Sequence, residues 1–469
     1  MARSSSVTRL LTPPAVAALL LVGCAAGGHG DAGAGARPEV MGVGDPLFPG
    51  LGNGGYDVRG YRLALAYDPG SGRLAGTAEI VARATRELRV FNLDLHRLSA
   101  TAVTVDGAEA RSVHDGDELI VRLGEAVPAG REFRTVVRYE GEPGAIRDAD
   151  GSEEGWLRTP GGALAVGEPA GSTAWFPGNH HPSDKASFDI AVTVPEGLRA
   201  VSNGELASER TSGGRSTYRW RSAEPMATYL ATLAIGPYEM RSSRTASGLP
   251  VVTAVDPAVG AADPAVGKLS ARLPEVLAWA EGAFGPYPFS SAGAIVVPDE
   301  VVDYALETQT RPVFPAGLFT PETLAHEIAH QWFGDSVTPK SWRDMWLNEG
   351  FATYAEWLWA EEFEGVPVRE SFDAAFADAE NWAFPPADPP SAAEVSSAPV
   401  YGRGAMVLHR VRGEVGDEVF FRLLRGWARE HRHGNASTAD FTAYAERLSG
   451  RELGGVWDGW LYGDGRPRR

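Results

Sequence analysis

The chain has 469 residues, of which 43% are hydrophobic and 22% are charged, and its formal net charge is −18. This length and composition predict a globular protein of two or three domains, and the acidic balance argues against a nucleic-acid-binding protein. Cys24 is the one cysteine, which excludes an intramolecular disulfide.

The first 23 residues have the pattern of a secretory signal peptide. Arg3 and Arg9 form a basic segment, and the apolar run AVAALLLVG that follows is too short to span a membrane. The run ends in LVGC, which is similar to a bacterial lipobox and closes on Cys24. This similarity implies cleavage before Cys24, lipidation of Cys24, and anchoring to the outer face of the bacterial cell membrane. An ordinary signal peptide with an incidental cysteine is the alternative.

Residues 24–55 are rich in Gly and Ala, a composition that predicts a flexible tether. From residue 56 the pattern changes to that of strands. YRLALAY, FDIAVTV and TYRWRS place apolar residues at alternate positions, and TYLATLAIG behaves similarly. Turn sequences such as DPGSG, VDG and SNG separate these runs. Residues 56–240 are therefore predicted to form an antiparallel β domain.

After residue 260 the spacing of apolar residues lengthens to that of helices. KLSARLPEVLAWAEGAF places Leu269, Leu273 and Leu277 on one helical face. Helical signals dominate from there to the C-terminus, so residues 241–469 are predicted to form a mainly α domain. The whole chain is therefore predicted to be an α+β protein.

The segment FTPETLAHEIAHQWFG predicts a helix that begins after Thr320 as N-cap and ends at Gly334. At about 100° per residue, His326 and His330 share one face, and the apolar side chains fall on the opposite face. A zinc ion can bridge two imidazoles at this spacing. Glu327 lies beside the histidines, within reach of a water molecule on the metal.

A catalytic zinc site needs a third protein ligand and leaves its fourth position open. Glu349 is the candidate because it follows His330 by nineteen residues, on a second helical segment that a turn can bring to the same metal. The four residues together predict one Zn²⁺ per chain, held by His326, His330 and Glu349, with Glu327 as general base. A surface pair of helices with satisfied His and Glu side chains is the alternative.

HEIAHQWFGD followed by WLNEGFA resembles the aminopeptidase N family (peptidase family M1), a family of gluzincin metallopeptidases that includes leukotriene hydrolase. AWFPGNHHPSDKASFDIAVTVP, ATYLATLAIGPYE and GWLYGDGRP extend the resemblance over nearly the whole chain after the signal peptide. The resemblance implies a saddle-like N-terminal β domain, a thermolysin-like catalytic domain, and zinc-dependent cleavage of the N-terminal residue from peptides. It also implies a short form without the C-terminal helical domain of larger members.

The family binds the free ammonium group of its substrates with a Gly-x-Met-Glu-Asn segment on an edge strand. The corresponding segment here is YALET, in which Tyr304 replaces the Gly and Thr308 replaces the Asn. By this resemblance Glu307 binds the ammonium group. Ala305 and Leu306, which precede it, are implied to contact the substrate.

Two more residues match positions with roles in the family. Glu168 stands nine residues before Pro177, as does the family's second amine-recognition residue. Tyr401 in PVYGRGA matches the tyrosine that donates a hydrogen bond to the developing oxyanion. Both roles are implied by the resemblance.

Two other functions remain open from the sequence. A zinc endopeptidase can share the His-Glu-x-x-His motif, and an open cleft would admit internal peptide bonds. A peptide-binding lipoprotein with a spent catalytic site is the second alternative, although all five catalytic positions carry intact His, Glu or Tyr residues. The sequence does not define an oligomeric state.

Overall fold

The computed structural model describes residues 42–468. The predicted signal peptide, Cys24 and the tether up to residue 41 lie outside the described residues. The first part of the described chain is built from strands, which are β1 (Tyr56–Asp68), β2 (Arg73–Ala84), β3 (Leu88–Asp94), β4 (Ser99–Val105), β5 (Ala108–Glu109), β6 (Arg111–Asp115), β7 (Glu118–Val127), β8 (Glu132–Gly141), β9 (Ala145–Arg147), β10 (Glu153–Thr159), β11 (Gly162–Val166), β12 (Lys185–Pro195), β13 (Arg199–Ser202), β14 (Glu205–Ser212), β15 (Arg215–Ala227) and β16 (Leu233–Gly236).

These strands form three sheets with strand orders β14-β15-β12-β1-β2-β8-β4-β5, β13-β16-β11-β10-β9 and β3-β7-β6. Burial alternates along β1 and β12, as the period-two pattern predicts, because alternate side chains face the core. Most neighbours are antiparallel, but β1 and β12 run parallel, with Leu63 opposite Ile190. The long connection between these two strands permits this pairing, which the sequence pattern does not indicate.

The second part of the described chain combines helices with a small sheet. Its elements are β17 (Glu239–Arg244), β18 (Pro250–Val255), α1 (Pro257–Ala262), α2 (Pro264–Phe284), β19 (Ala292–Val297), β20 (Val313–Pro315), α3 (Pro321–His330), β21 (Val337–Pro339), α4 (Trp346–Trp359), α5 (Val368–Ala377), α6 (Gly404–Val415), α7 (Asp417–Glu430), β22 (Gly434–Ala436), α8 (Thr438–Ser449) and α9 (Gly454–Val456). The architecture is α+β, as predicted. Within residues 42–468, none of these helices combines the length and the apolarity that a membrane span requires.

The sheet β17-β18-β19-β20 opens this second part. β17 spans the predicted boundary at residue 240, so the chain enters the sheet before the predicted mainly α domain begins. β19 is buried at every position and therefore lacks the alternation that reveals a half-exposed strand. For that reason the sequence pattern after residue 260, which indicates helices, does not reveal β19 or β20.

Helix α3 begins where the sequence predicts. The hydroxyl of Thr320 accepts a hydrogen bond from the Thr323 amide at 3.2 Å, and a proline occupies the first turn. The helix ends at His330, however, and the predicted end at Gly334 is wrong. The amides of Gln331 and Trp332 bond to carbonyls three residues back, which tightens the last turn and reverses the chain early.

Residues 42–55 are packed, so the prediction of a flexible tether is wrong for this segment. Asp45 accepts hydrogen bonds from the Ser341 hydroxyl at 2.7 Å and the Trp342 amide at 3.0 Å. The Phe48 ring packs edge-on against Trp342, with ring centroids 5.5 Å apart. A Gly-rich composition does not reveal these partners, because they lie almost three hundred residues further along the chain.

Lys185, at the start of β12, joins the two parts of the described chain. Its ammonium group donates to the carbonyls of Asp335 at 2.8 Å, Ser336 at 2.9 Å and Gly434 at 3.4 Å. The first two carbonyls lie in the turn that follows α3. A residue of the β-rich part thereby supports the end of the helix that carries His326 and His330.

Candidate active site

Helices α3 and α4 bring the three predicted metal ligands together. The Nε2 atoms of His326 and His330 lie 3.3 and 3.4 Å from Oε2 of Glu349. One possible ligand atom from each of the three residues lies within 4.8 Å of the other two, and all three side chains are buried. Two imidazole nitrogens and one carboxylate oxygen form a donor set that fits a catalytic zinc ion.

The other nitrogen of each imidazole has its own acceptor. Nδ1 of His326 lies 2.5 Å from Oε1 of Glu356, and Nδ1 of His330 lies 3.1 Å from the Phe333 carbonyl. Each acceptor holds a proton on Nδ1 and leaves the Nε2 lone pair directed at the shared centre. The sequence interpretation missed Glu356. Its position two helical turns after Glu349 places both carboxylates on one face of α4, and that spacing could have revealed it.

Glu327 lines the same cavity as the metal-ligand set. Its Oε2 atom is buried and has no hydrogen-bond partner among the described residues. Burial raises the pKa of Glu327 to about 8, although the neighbouring His326 and His330 oppose the rise. A carboxyl group that titrates near neutrality can both accept and return a proton.

Glu307 lies on a short extended segment beside β20. The preceding residue, Leu306, exchanges backbone hydrogen bonds with Val313 at 2.9 and 2.8 Å. The carbonyl of Glu307 accepts from the Gln331 side chain at 3.0 Å, which fixes the segment against the end of α3. Its carboxyl group is almost fully buried, and Oε1 has no partner among the described residues.

Glu168 comes from the loop between β11 and β12 and reaches the same place. Oxygen atoms of Glu168, Glu307 and Glu349 lie within 4.8 Å of one another. Oε1 of Glu168 also lacks a partner among the described residues. Burial raises the pKa of Glu168 and that of Glu307, and for Glu168 the neighbouring carboxyl groups raise it further. The structure therefore unites the two predicted amine-binding residues, which are 139 positions apart.

These side chains line a cavity of about 490 Å³, and Ala305 and Leu306 form part of its wall. No lysine or arginine lines it in the part of the chain that the structure describes. Its acidic lining residues are Asp150, Glu168, Asp303, Glu307, Glu327, Glu349 and Glu356. Carboxyl groups gathered without a cation are costly to bury, so the cavity is built to receive positive charge.

Tyr304, which replaces the Gly of the family segment, lines this cavity and donates its hydroxyl to the Glu153 carbonyl at 3.1 Å. Thr308, which replaces the Asn, is fully buried and bonds to the Arg311 carbonyl at 2.5 Å. Neither replacement displaces the Glu307 carboxyl group from the cavity. The tyrosine instead adds a partly buried ring to its wall.

Tyr401 lies in the wide helical turn Pro399–Arg403, immediately before α6. Its ring stacks on that of His326, with centroids 6.1 Å apart and planes inclined by 15°. Burial and the nearby carboxyl groups raise the pKa of Tyr401, so its hydroxyl keeps its proton and can act as a donor. Arg403 holds the turn by donating to the carbonyls of Trp460 at 2.8 Å and Phe384 at 3.1 Å.

Two family models match this chain. The peptidase M1 N-terminal domain matches residues 58–230, and the peptidase family M1 domain matches residues 319–460. The first match covers most of the β-rich part, including Glu168. The second covers α3, α4 and the turn that carries Tyr401.

Similar proteins include plant and bacterial aminopeptidases. Aminopeptidase M1 of Arabidopsis thaliana is 29% identical over an alignment of 336 residues that covers 65% of this chain and 37% of that protein. Aminopeptidase N of Streptomyces lividans is 26% identical over an alignment of 319 residues that covers 61% of this chain and 36% of that protein. The chain thus spans less than half the length of these two relatives.

Solved structures include proteins of similar length. An M1 zinc metallopeptidase from Deinococcus radiodurans has 30% identity and a TM-score of 0.84, over 91% of this chain and 98% of that one. A mutant of that enzyme bound to a Tyr-Ser-Ala substrate has the same identity and TM-score, over 92% and 99% of the two chains. Together with the two family models and the His-His-Glu donor set, this agreement shows that the chain belongs to peptidase family M1, the zinc metallopeptidases.

Proposed function

We propose that the chain is a zinc-dependent aminopeptidase that hydrolyses the N-terminal peptide bond of peptides. The observation that carries this proposal is the position of Glu307 and Glu168, each of which has a carboxyl oxygen within 4.8 Å of one of Glu349. Each also has an oxygen without a hydrogen-bond partner among the described residues. A free ammonium group supplies the positive charge that this position requires. The aminopeptidases among the relatives support the same activity.

An endopeptidase fits this cavity less well. An internal residue of a substrate would bring a neutral amide to Glu307 and Glu168 and would leave their charges buried without a partner. A spent binding protein also fits less well, because the three ligands, Glu327 and Tyr401 all face one cavity.

The residues divide the hydrolytic step among them. Zinc, held by His326, His330 and Glu349, would polarise the scissile carbonyl and lower the pKa of a water molecule towards ~7. Glu327 accepts the proton of the attacking water and later passes it to the leaving amine.

Substrate contacts come from other residues that line the same cavity. Tyr401 donates a hydrogen bond to the carbonyl oxygen as negative charge develops on it. Ala305 and Leu306 border the substrate backbone, while Glu307 and Glu168 bind its ammonium group. The Tyr-Ser-Ala substrate bound to the Deinococcus radiodurans mutant supports short peptides as the substrate class.

The activity is tested with a panel of aminoacyl fluorogenic substrates and the purified full-length protein. We expect hydrolysis that a chelator abolishes and that added Zn²⁺ restores, because turnover requires a zinc ion bound by the ligands on α3 and α4. Absence of hydrolysis across the panel by zinc-loaded protein would contradict the proposal.

We also propose that the chain is a secreted lipoprotein, anchored through Cys24 to the outer face of the bacterial cell membrane. The motif LVGC supports this proposal, as does the basic and apolar segment before it. The test is metabolic labelling with radioactive fatty acid in a bacterial host. We expect label on the wild type and none on Cys24→Ala, whereas label that survives this substitution would refute the anchor.

A further inference from the structure

Glu154 is a buried carboxyl group that supports the loop of Glu168. It lies on β10, its residue is fully buried, and its two oxygens accept from the amides of Ala170 at 3.1 Å and Gly171 at 2.9 Å. These amides follow Glu168 by two and three residues. Among the described residues, no lysine or arginine forms an ion pair with Glu154. Two backbone amides are therefore its hydrogen-bond partners.

The loop that Glu154 holds is closed tightly on itself. A Cβ atom on Gly167 would lie 2.3 Å from the Cα atom of Gly171, and a Cβ atom on Gly171 would lie 2.6 Å from the Val166 carbonyl oxygen. Ser172 continues the loop and donates its hydroxyl to the Thr228 carbonyl at 2.6 Å. Because Gly167 packs directly on Gly171, a shift of the Ala170 and Gly171 backbone that Glu154 holds is passed on to Glu168.

Burial of the Glu154 carboxyl group lowers the stability of the fold. Burial, with the nearby Asp148, raises the pKa of Glu154 to about 8 although the two amide hydrogen bonds lower it. A buried carboxyl group without a cation weakens a folded protein relative to a neutral group of the same shape. Such costs are typical of residues that a functional site requires.

We propose that Glu154 is a positioning residue for amine recognition, which fixes the loop 167–171 so that Glu168 faces the substrate's ammonium group. This inference rests on the proposed aminopeptidase function. Glu154 is absent from the cavity lining, so it acts on the substrate through Glu168 alone. Its loss lets the loop shift and weakens the binding of a free N-terminus.

The test compares Glu154→Gln, Glu168→Ala and the double variant with wild-type full-length protein. Gln offers one acceptor oxygen in place of two, so we expect KM for a free-amine substrate to rise about tenfold, the equivalent of one hydrogen bond. We expect Glu154→Gln to add nothing further in the Glu168→Ala background, because both changes act on one contact. Zinc content should stay at the wild-type level, and thermal stability should be unchanged or higher.

Two variants serve as controls. Glu153→Gln changes the neighbouring carboxylate, which is exposed and pairs with Arg147 at 3.2 Å, and it should leave KM unchanged. Glu154→Asp keeps the two oxygens of the carboxyl group on a shorter side chain and should recover part of the lost affinity. If Glu154→Gln fails to fold, Glu154→Asp takes its place in the comparison with Glu168→Ala.

Two results with the Glu154 variants would overturn the inference. One is a wild-type KM in Glu154→Gln, or in Glu154→Asp where that variant replaces it. The other is a rise in KM that persists undiminished in the Glu168→Ala background. If Glu168→Ala itself leaves KM unchanged, the inference fails, while zinc-dependent hydrolysis and the effect of Glu307→Ala still test the aminopeptidase function independently.

Discussion

Buried glutamates around His326 and His330 differ in their partners and therefore in their chemistry. Burial alone would raise the pKa of Glu349, but the two histidines lower it to about 2. The same burial raises the pKa of Glu327 to about 8. One residue type thus supplies a permanently charged ligand and a group that exchanges protons near neutral pH.

Replacing Glu327 by Gln tests this division. Glu327→Gln keeps the size of the side chain but cannot accept the proton of the attacking water, so kcat should fall at least ~10²-fold. The zinc content, measured by atomic absorption, should stay at the wild-type level because the three ligands are intact. A variant that keeps wild-type kcat would remove Glu327 from the mechanism.

Glu356 orients His326 without belonging to the predicted ligand set. Removing its carboxylate in Glu356→Ala frees the Nδ1 proton of the imidazole, and zinc affinity should fall about 10- to 100-fold. Competition with a chelator of known affinity measures the change. Glu370→Ala, on the exposed side of α5, is the matched control. Equal zinc affinity in wild type and Glu356→Ala would contradict the assigned role.

At the scale of elements, Lys185 of β12 supports the turn after α3 through two close carbonyls. Lys185→Met leaves the Ser336 carbonyl without its ammonium donor and leaves the Asp335 carbonyl with the Thr338 hydroxyl as donor, so the free energy of unfolding should fall by about 1–3 kcal/mol. Denaturant unfolding of the zinc-loaded protein measures this loss. An unfolding free energy equal to that of the wild type would show that the turn does not depend on Lys185.

The unfolding free energies of the wild type and Lys185→Met should also differ in their dependence on pH. Burial lowers the pKa of Lys185 from 10.5 to about 7, so above pH 7 the unfolded chain binds more protons at this residue than the folded chain does. The contribution of Lys185 to the unfolding free energy of the wild type should therefore increase as pH rises from 7 towards 10. The difference between wild type and Lys185→Met should widen over that range.

Local sequence predicts where α3 begins better than where it ends. Thr320 and the following proline mark the start, because capping depends on residues next to each other. The end at His330 depends on main-chain hydrogen bonds in the following turn and on the Phe333 carbonyl that the imidazole contacts. Long-range partners also explain why the packing of segment 42–55 is not predicted, whereas β19 is missed because its complete burial removes the alternation of a half-exposed strand.

For the whole molecule, residue spacing predicts the metal ligands, because His326, His330 and Glu349 lie on two helices close in sequence. The meeting of Glu168 with Glu307 follows only from the resemblance to known peptidases, since two separate parts of the chain must fold together to create it. No sequence motif identifies Glu154, because its partners are backbone amides. The sequence thus predicts the residues that carry out the chemistry, whereas a residue that positions them, such as Glu154, is found only in the structure.

The cavity receives its walls from both parts of the described chain. The loop of Glu168 comes from the β-rich part, and α3, α4 and the turn of Tyr401 come from the helical part. The carboxyl groups proposed to bind the amine thus lie beside the predicted metal ligand Glu349, with oxygens within 4.8 Å of one another. In the proposed function this proximity leaves room for one residue between the free N-terminus and the scissile bond. Removal of single N-terminal residues is therefore the central claim of this account.

Mass spectrometry of one peptide in two forms tests that claim most directly. The zinc-loaded full-length protein is incubated with a peptide that carries a free N-terminus and with the same peptide after N-acetylation. We predict stepwise loss of single N-terminal residues from the free peptide and little or no cleavage of the acetylated one. Cleavage of both forms at the same internal bond would contradict the account and identify an endopeptidase.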